Sequence, residues 1–312
     1  MASRNAVFVS TLFFFVTGIT STWAQQYVFR SIDVPGAGDT YVGANNNSGA
    51  IVGCYPLAGL ISDDLGYLLS KGVFKAVKYP GAPSTCPNGV SGNGIVGAYQ
   101  DGGGKFHGFL LAGKTYSSFD YPGALLTSGL DVNNSGVIVG YYYDGAGYHG
   151  FKLQSGTFTL LDPPGAAGSI ADTINNSGQI VGYYSLTDPM LNHDSQGYLL
   201  SGSSYTPINY PGATGTAAIG LNKSGQIVGF YSDSGGVFHG FPDFGGVFST
   251  LDYPGATNSY AVEINDSGQI VGDWTSVSSS YDQHGFLASP IPGTYGPAPG
   301  NAPFGQKMIS QH

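Results

Sequence analysis

The sequence predicts an all-β fold, a six-bladed β-propeller with four short strands in each blade. An Ile-Val-Gly motif begins at six evenly spaced positions: Ile51, Ile95, Ile138, Ile180, Ile227 and Ile270. Successive copies are separated by 44, 43, 42, 47 and 43 residues, a period typical of four-stranded propeller blades. Gly makes up 51 of the 312 residues, and the 19 acidic residues include one Glu, Glu263. Because Gly weakens helices and Asp favours turns, this composition favours strands.

The composition also excludes several classes of protein. Hydrophobic residues make up 41% of the chain and aromatic residues 13%, which is too apolar for a disordered chain. The net charge is -9, and the few Lys and Arg residues are scattered singly. Binding to nucleic acid or to an anionic membrane surface needs clustered basic residues, so neither partner is expected.

The N-terminus has the pattern of a cleaved signal peptide, residues 1–24. Arg4 precedes an apolar run over 6–16, and small residues surround a cleavage site after Ala24. The alternative is a membrane anchor, but the apolar run is shorter than the roughly 18–20 residues that a helix needs to cross a bilayer. We therefore expect a secreted protein, periplasmic or extracellular, with no membrane span after cleavage.

The two cysteines are candidates for a disulfide. Cys54 replaces the Tyr that follows Ile-Val-Gly in other copies, and Cys86 falls in the next repeat. A bridge between neighbouring repeats is permitted in an oxidising compartment. The alternative is two separate buried thiols.

One repeat is predicted to contain four strands, A to D. Strand A ends at an Asn-x-Ser-Gly turn, whose residues tolerate left-handed backbone, and strand B is the apolar Ile-Val-Gly run. Strand C carries His-Gly-Phe or Gly-Tyr-Leu. Strand D ends at a Pro-Gly turn, in which Pro fixes φ and Gly supplies a positive φ. Glycines inside strands B and C are expected where a backbone or an aromatic ring comes close.

The N-terminal strand is predicted to close the ring. Strands A, B and C occur six times after residue 37, but only five D strands follow them, and segment 27–33 supplies the sixth. A β-solenoid is the alternative, although a hairpin-linked unit of four strands is too long for one coil. The propeller is therefore assigned to residues 25–289, followed by a Pro/Gly-rich tail, 290–312, that is predicted to be disordered.

These motifs resemble a known family. Gly-[Ile/Leu]-Asn-x-Ser-Gly-Gln-Ile-Val-Gly-Tyr, then His-Gly-Phe-Leu and Asp-Tyr-Pro-Gly-Ala, is similar to the bacterial HAF-type extracellular repeat, over about residues 27–288. The chain departs from that family in having His-Gly-Phe where the name motif has His-Ala-Phe. The resemblance implies a propeller-like, extracellular or envelope-associated protein without an established activity, and it supplies no catalytic residues.

Four repeats place a His before Gly-Phe: His107, His149, His239 and His284. These could be metal ligands or bases. We favour a structural anchor, one per blade, because a propeller spreads equivalent positions around a circle. The same interpretation is given to the Asp that ends three D strands: Asp120, Asp162 and Asp252.

Aromatic and acidic residues are expected to share one face of the disc, because the B–C hairpins and D–A turns lie on the same side. The predicted ligand-binding residues are Tyr79, Tyr121, Tyr210 and Tyr253 of the Pro-Gly turns and Asp101, Asp144 and Asp233 of the hairpins. Rings stack on sugars, and carboxylates accept hydrogen bonds from hydroxyls. The alternative is that the Tyr rings only pack over blade edges. The longest B–C loops, 185–196, 56–65 and 275–283, extend the same face.

Three acidic residues break the repeat near the predicted axis. The residues two before the turn Asn are Gly43, Gly89, Asp131, Thr173, Gly220 and Glu263, and Asp172 stands one position earlier in the fourth repeat. Asp131, Asp172 and Glu263 could form an acid–base pair or a cation site. Alternatively, they are solvated groups that line a wet channel, which is the interpretation we favour.

The sequence contains no nucleophile elbow, zinc-protease motif or phosphate-binding loop, so it predicts no cofactor and no metal site. Our first hypothesis is a binding module for a carbohydrate or an envelope protein. The second is an extracellular hydrolase or lyase that uses Asp131, Asp172 or Glu263. A third is a structural role in a matrix or filament. We favour the binding module.

Overall fold

The computed structural model describes residues 25–56, 64–188, 190, 194–276 and 282–293. Within these ranges the chain forms 23 β-strands and no helix, so the all-β prediction is confirmed. The predicted signal peptide, residues 1–24, lies outside the described residues. The same holds for 294–312 of the predicted tail and for parts of the three longest B–C loops.

The strands follow the six sequence repeats in order. After β1 (Tyr27–Ile32), repeat 1 has β2 (Tyr41–Asn45), β3 (Ile51–Pro56), β4 (Asp64–Ser70) and β5 (Val73–Val77); repeat 2 has β6 (Ser84–Ser91), β7 (Gly94–Gln100), β8 (Phe106–Ala112) and β9 (Thr115–Phe119); repeat 3 has β10 (Leu126–Val132), β11 (Ile138–Tyr143), β12 (Tyr148–Gln154) and β13 (Thr157–Leu160); repeat 4 has β14 (Gly168–Ile174), β15 (Ile180–Ser185), β16 (Gln196–Ser201) and β17 (Ser204–Ile208); repeat 5 has β18 (Gly215–Leu221), β19 (Ile227–Ser232) and β20 (Phe238–Asp243); repeat 6 has β21 (Asn258–Ile264), β22 (Ile270–Thr275) and β23 (Gln283–Pro290).

Strands within a repeat pair antiparallel with their neighbours in sequence. Repeats 1 and 4 form four-stranded sheets, whereas repeats 2 and 3 join in one eight-stranded sheet through a single parallel pair, Leu126 with Phe106. The three strands of repeat 6 take β1 as a fourth, with Tyr27 opposite Pro290 and Ile32 opposite Gly285. The N-terminal segment thus occupies the place of a D strand at the end of the chain.

Repeat 5 differs, because β18, β19 and β20 form a sheet of three strands. Its outermost segment makes one isolated bridge, between Asp243 and Phe248; the Leu251 N–H donates to the Gly240 carbonyl at 2.7 Å and the Ser249 N–H to the Pro242 carbonyl at 3.1 Å. The Pro242 carbonyl faces the outermost segment, so a backbone N–H at residue 242 would face that segment too and could add a hydrogen bond to the ladder. Proline has no N–H, which weakens the pairing between β20 and the outermost segment.

The two repeated turns are built as the motifs predict. In repeat 3, the Asn133 carboxamide oxygen accepts hydrogen bonds from the N–H groups of Ser135 and Val137, at 3.0 and 3.1 Å. At the Pro-Gly turn, the Ala124 N–H donates to the Tyr121 carbonyl at 3.1 Å, and Gly123 has φ of 81°. A positive φ after Pro is the geometry of a type II turn.

Each innermost strand has a β-bulge two or three residues before its turn, and the extra residue points into an axial cavity. The bulged residues are Gly43, Asn88, Leu130, Asp172, Ile219 and Val262. This register corrects one predicted equivalence. The repeat 1 turn begins at Asn46, whose N–H bonds the Ala50 carbonyl, so the counterpart of Asp131 is Ala44 and not Gly43.

The hydrophobic core lies between adjacent repeats. One large side chain of each strand C is at most 1% exposed: Tyr67, Phe109, Phe151, Tyr198, Phe241 and Phe286. Six separate clusters form around these rings, each combining residues of two neighbouring repeats. The predicted reason for Gly in strand B holds at Gly182, where a Cβ would overlap the Ile170 carbonyl and the Tyr198 ring.

Side chains of the Asn turns link successive repeats. The Asn Nδ2 of one turn donates to the Asn carbonyl of the next at 3.2 to 3.3 Å, from Asn133 to Asn175, Asn175 to Asn222, Asn222 to Asn265 and Asn265 to Asn46. Between repeats 2 and 3, Asn93 replaces the missing Asn and donates to the Asn133 carbonyl at 3.1 Å. Repeats 1 and 2 are instead joined covalently, because Cys54 and Cys86 form a disulfide.

Candidate binding face

A repeated cluster of aromatic, histidine and carboxylate side chains covers the face that carries the B–C hairpins and D–A turns. In repeat 3, the Tyr121 ring stacks on Tyr142 with centroids 3.7 Å apart, and Tyr142 stacks on His149 at 5.1 Å. His149 Nδ1 lies 2.8 Å from Asp162 Oδ2, and its Nε2 lies 3.6 Å from Asp144 Oδ2. We call this arrangement the His cluster.

Three other repeats contain the same cluster. In the order turn Tyr, strand B ring, His, hairpin Asp and D-strand Asp, its members are Tyr79, Tyr99, His107, Asp101 and Asp120 in repeat 2; Tyr210, Tyr231, His239, Asp233 and Asp252 in repeat 5; and Tyr253, Trp274, His284, Asp282 and Asp33 in repeat 6. Asp33 follows β1, so the N-terminal segment supplies repeat 6 with a carboxylate as well as a strand.

The hairpin carboxylates of the cluster are stabilised in their charged form. A hydrogen bond from His107 and backbone N–H groups of the hairpin lower the pKa of Asp101, and backbone N–H groups lower the pKa of Asp144 and Asp233. For His284, burial opposes protonation, but hydrogen bonds and the charges of Asp33 and Asp282 outweigh it and raise its pKa. The cluster therefore favours ionised carboxylates around the imidazole.

This geometry places all seven predicted ligand-binding residues in the His clusters. Each of the four turn Tyr rings has one face covered by the ring of the following repeat, with centroids 3.6 to 4.4 Å apart. Each hairpin Asp faces an imidazole. Each His Nδ1 lies 2.8 to 2.9 Å from the Asp that follows strand D, a contact that a structural anchor would make. Within the described residues, no group of three or more His, Cys, Asp or Glu side chains is placed to hold a metal ion.

Repeats 1 and 4 lack the His cluster, and in each of them several of its members are replaced by other residues. The His position before Gly is occupied by Leu65 in repeat 1 and by Gln196 in repeat 4. The Asp after strand D is then replaced by Lys78 and Asn209, and the turn Tyr by Val34 and Pro163. In repeat 4, the Tyr184 hydroxyl donates to Gln196 Oε1 at 3.2 Å instead of packing under a second Tyr.

A cavity of about 540 Å³ opens on this face over repeat 5, between repeats 4 and 6. Its aromatic walls are Tyr183, Phe230, Phe238 and Tyr260, and its polar lining includes Asp194, Ser195, Thr214, Thr216 and Ser232. We call it the aromatic cavity. Its volume lies within the range of about 300–1,000 Å³ that small-molecule sites occupy.

Packing and hydrogen bonds hold the walls of the aromatic cavity in place. Phe230 contacts Tyr260 and Phe238 edge to face, with centroids 5.1 and 5.8 Å apart. The Thr216 N–H donates to the Ser195 carbonyl at 2.8 Å, which ties the end of the long repeat 4 loop to strand β18. Walls that are already ordered reduce the conformational entropy that the protein loses when a ligand binds.

The long loop 185–196 was predicted to contribute to binding, whereas these aromatic walls were not. One of them, Tyr260, could have been found by comparing equivalent strand A positions across the repeats. Tyr260 occupies the strand A position held by Ser128, Ile170 and Ala217 in repeats 3, 4 and 5. All four residues pair with the strand B residue that follows Ile-Val-Gly.

The acidic residues predicted near the axis divide between two cavities. Asp131 and Glu263 line an axial cavity of about 330 Å³ at the face of the Asn turns, and Asp172 lines a deeper one of about 180 Å³ that also touches Glu263. Thr173 Oγ1 donates to Glu263 Oε2 at 2.9 Å, and the Ile174 N–H donates to Asp131 Oδ2 at 3.0 Å.

Burial raises the pKa of all three axial carboxyls. It raises the pKa of Asp131 to about 6 and that of Asp172 well above its ordinary value. For Glu263, burial and then the charge of Asp131 raise the pKa well above its ordinary value. Asp172 Oδ2 is buried and has no hydrogen-bond partner among the described residues. At neutral pH these shifts favour protonated Asp172 and Glu263, whereas Asp131 is mostly ionised.

Comparisons with known proteins identify the fold. No protein-family model matches the chain, and no curated protein matches it. Among solved structures, TolB from Acinetobacter baumannii is similar, with a TM-score of 0.55 and 12% identity over 78% of this chain and 64% of that one. The β-propeller domain of the Trilobed protease from Pyrococcus furiosus, described as having an open velcro topology, gives 0.49 and 12% over 82% and 84%.

A lectin is also similar: SapL1 in complex with alpha methyl fucoside gives a TM-score of 0.49 and 13% identity over 76% of this chain and 88% of that one. Identities this low establish the fold alone. The chain therefore has a β-propeller fold. Among the described residues, none forms a helix long and apolar enough to cross a membrane.

Proposed function

We propose that the protein is a secreted, six-bladed β-propeller of the HAF-type repeat family that serves as a binding module for glycan or protein. The ring we propose has four-stranded blades and is closed by the N-terminal strand. Support for closure comes from the pairing of β1 with β23, from Asp33 in the repeat 6 cluster and from the Asn265 bond to the Asn46 carbonyl. In propellers, such pairing of terminal strands joins the first blade to the last.

The observation that carries the binding function is the aromatic cavity. Its walls combine four aromatic rings with hydroxyl and carboxylate groups, the combination that small-molecule sites use for affinity and orientation. It lies on the face where the loop after β15 is longest, and extra residues on one face of a repeat array often form the binding surface. The turn Tyr rings contribute rigidity to this face, since their stacking fixes the neighbouring hairpins.

Blocking the cavity tests the binding function. Thr214 is exposed and lies at the lining of the cavity, so Thr214→Trp should fill its mouth without disturbing the core. Leu125 is 58% exposed and occupies the equivalent position after Pro-Gly-Ala in repeat 3, outside the cavity, so Leu125→Trp is a matched control. We expect retention of glycans or envelope proteins by the wild type and by Leu125→Trp, and its loss in Thr214→Trp. Equal retention by all three proteins would exclude the cavity as the binding site.

Secretion is proposed from residues 1–24 and is tested separately. Expression of the full chain should give a mature protein that begins at Gln25 in the periplasm or the medium. Its mass should rise by about two units on reduction of the Cys54–Cys86 disulfide. An intact N-terminus in the cytoplasm would contradict secretion.

A second candidate function is an extracellular hydrolase or lyase, and the pairing of Asp131 with Glu263 in one axial cavity favours it. Burial raises the pKa of both carboxyls, and the charge of Asp131 raises that of Glu263 further; two carboxyls with separated pKa values are a common acid–base arrangement. The single variants Asp131→Asn and Glu263→Gln should each abolish turnover of a polysaccharide substrate, whereas Asp172→Asn, in the deeper cavity, serves as the control. Turnover that survives both variants would remove this candidate.

A further inference from the structure

We infer that the aromatic cavity takes the terminal residue of a neutral sugar chain, a pyranose whose apolar face lies against Phe230, Phe238 and Tyr260. This assignment rests on the proposed binding function and names the ligand class of the same site. Four properties of the cavity carry it: the geometry of the rings, the hydroxyl groups around them, the charge of the lining and the enclosure of the space.

The rings form an apolar corner rather than a flat patch. The planes of Phe230 and Tyr260 meet at 81°, and those of Phe230 and Phe238 meet at 79°. Such a corner presents the face of one ring beside the edge of another. The C–H groups on one face of a pyranose pack against an aromatic face, while its hydroxyls point sideways to the rim.

Hydroxyl and carboxylate groups surround this corner. Thr216 Oγ1 accepts a hydrogen bond from the Tyr210 N–H at 3.0 Å, so its own proton is directed elsewhere. Thr214 and Ser232 share a hydrogen bond of 2.7 Å at the mouth, and either oxygen has remaining lone pairs. Asp194 adds a carboxylate that accepts hydrogen bonds from hydroxyls. A rim of neutral hydroxyls with one acceptor matches the hydroxyl groups of a sugar.

The charge of the lining selects a neutral ligand over an anionic one. Among the described lining residues, Asp194 is the single acidic residue and none is basic. Burial raises the pKa of both Tyr183 and Tyr260, which keeps their phenols neutral. A uronate or a phosphosugar would therefore meet a carboxylate without any balancing cation.

Enclosure favours one or two sugar units over an extended peptide. Ser195, whose carbonyl accepts the Thr216 N–H, closes one side, and Tyr260 of repeat 6 closes the other side. An extended peptide needs a groove that is open at both ends, whereas this cavity is bounded on two sides.

The test uses saturation-transfer NMR on the full mature chain with a panel of neutral methyl pyranosides at millimolar concentration. We expect transfer to the ring C–H protons of at least one pyranoside. Phe238→Ala should weaken that binding about tenfold, since it removes one wall of the corner. Tyr148→Ala is the matched control, because Tyr148 precedes His149 in repeat 3 as Phe238 precedes His239 in repeat 5.

The outcomes separate this inference from the broader binding function. Asp194→Asn should weaken the neutral sugar and relieve the discrimination against the matching uronic acid. If no pyranoside gives transfer while Thr214→Trp still loses retention of envelope proteins, the sugar inference is wrong and the binding function stands. If Phe238→Ala and the wild type give equal transfer, the sugar lies outside this cavity. If neither sugar nor envelope extract is retained, both assignments fall.

Discussion

Repeats 3 and 4 are neighbours with the same order of strands. Their side chains differ on the face that carries the B–C hairpins and D–A turns. In repeat 3, two stacked Tyr rings, an imidazole and two carboxylates satisfy one another, and the hairpin of Asp144 is short. Repeat 4 has Gln196 and Asn209 at the His and Asp positions, and its long loop helps to wall the aromatic cavity. The polar residues of the His cluster therefore serve the scaffold, and the aromatic cavity opens over repeat 5, where Asp194 and Ser195 of repeat 4 add a wall.

The largest effect is expected at the strand B residue that follows Ile-Val-Gly, which is Tyr141 in repeat 3, Tyr183 in repeat 4 and Asp273 in repeat 6. Asp273 is 7% exposed and accepts a hydrogen bond from the Val42 N–H at 2.8 Å. Burial raises its pKa from an ordinary value of 3.8 to about 8. Between these values, the folded state keeps a proton that the unfolded state releases, so stability falls as pH rises, by about 1.4 kcal/mol per pH unit. Above pH 8 this loss is complete.

Urea unfolding across this pH window tests the effect. Asp273→Asn mimics the protonated acid and should remove the contribution of Asp273 to the fall in unfolding free energy with pH. The variant should therefore be more stable than the wild type at pH 8. Asp144→Asn is the control: its lowered pKa gives stability that is lost only as pH falls below the ordinary value of Asp. Parallel curves for the wild type and Asp273→Asn would show that Asp273 is ionised in the folded protein.

The second effect concerns the Tyr stack that repeat 4 lacks. Tyr121 packs on Tyr142 and contacts Phe151 and Phe158. Tyr121→Ala should lower the free energy of unfolding by about 3 kcal/mol through lost burial and stacking. Pro163 occupies the same position before repeat 4, and Pro163→Ala should cost less than about 1 kcal/mol. Similar losses in the two variants would mean that stacking adds nothing to this face.

The third effect isolates the imidazole. His149→Ala removes the 2.8 Å partner of Asp162 and should cost about 2 kcal/mol, because a half-buried carboxylate loses a charged hydrogen bond. Gln196→Ala, at the equivalent place in repeat 4, loses only a bond from the Tyr184 hydroxyl and should cost about 1 kcal/mol. Thermal and urea unfolding of the two variants give both values, and a larger loss for Gln196→Ala would reverse the assigned roles.

Much of the scaffold could be predicted from the sequence, because each element depends on local chemistry. The Asn and Pro-Gly turns, the strand pattern and the pairing of β1 with the last repeat follow from repeated residues. The register of the first turn was wrong because Asn45, Asn46 and Asn47 offer three candidate turn residues, and only hydrogen bonds choose among them. The aromatic cavity could not be located, since Tyr183, Phe230 and Tyr260 come from three different repeats and meet only in the folded chain.

The smallest effect comes from building the missing pair into repeat 4. The chain itself couples these positions, since His occurs where an Asp ends strand D and is absent where that residue is Lys78 or Asn209. Gln196→His and Asn209→Asp should each be neutral or slightly destabilising. Together they should show a favourable coupling energy of about 1 kcal/mol, the size expected for a charge-assisted hydrogen bond at a partly exposed site. A double-mutant cycle measures this coupling. Purely additive effects would mean that the His–Asp bond depends on the Tyr stack beneath it. Repeat 4 has no such stack, because Pro163 stands in place of the turn Tyr.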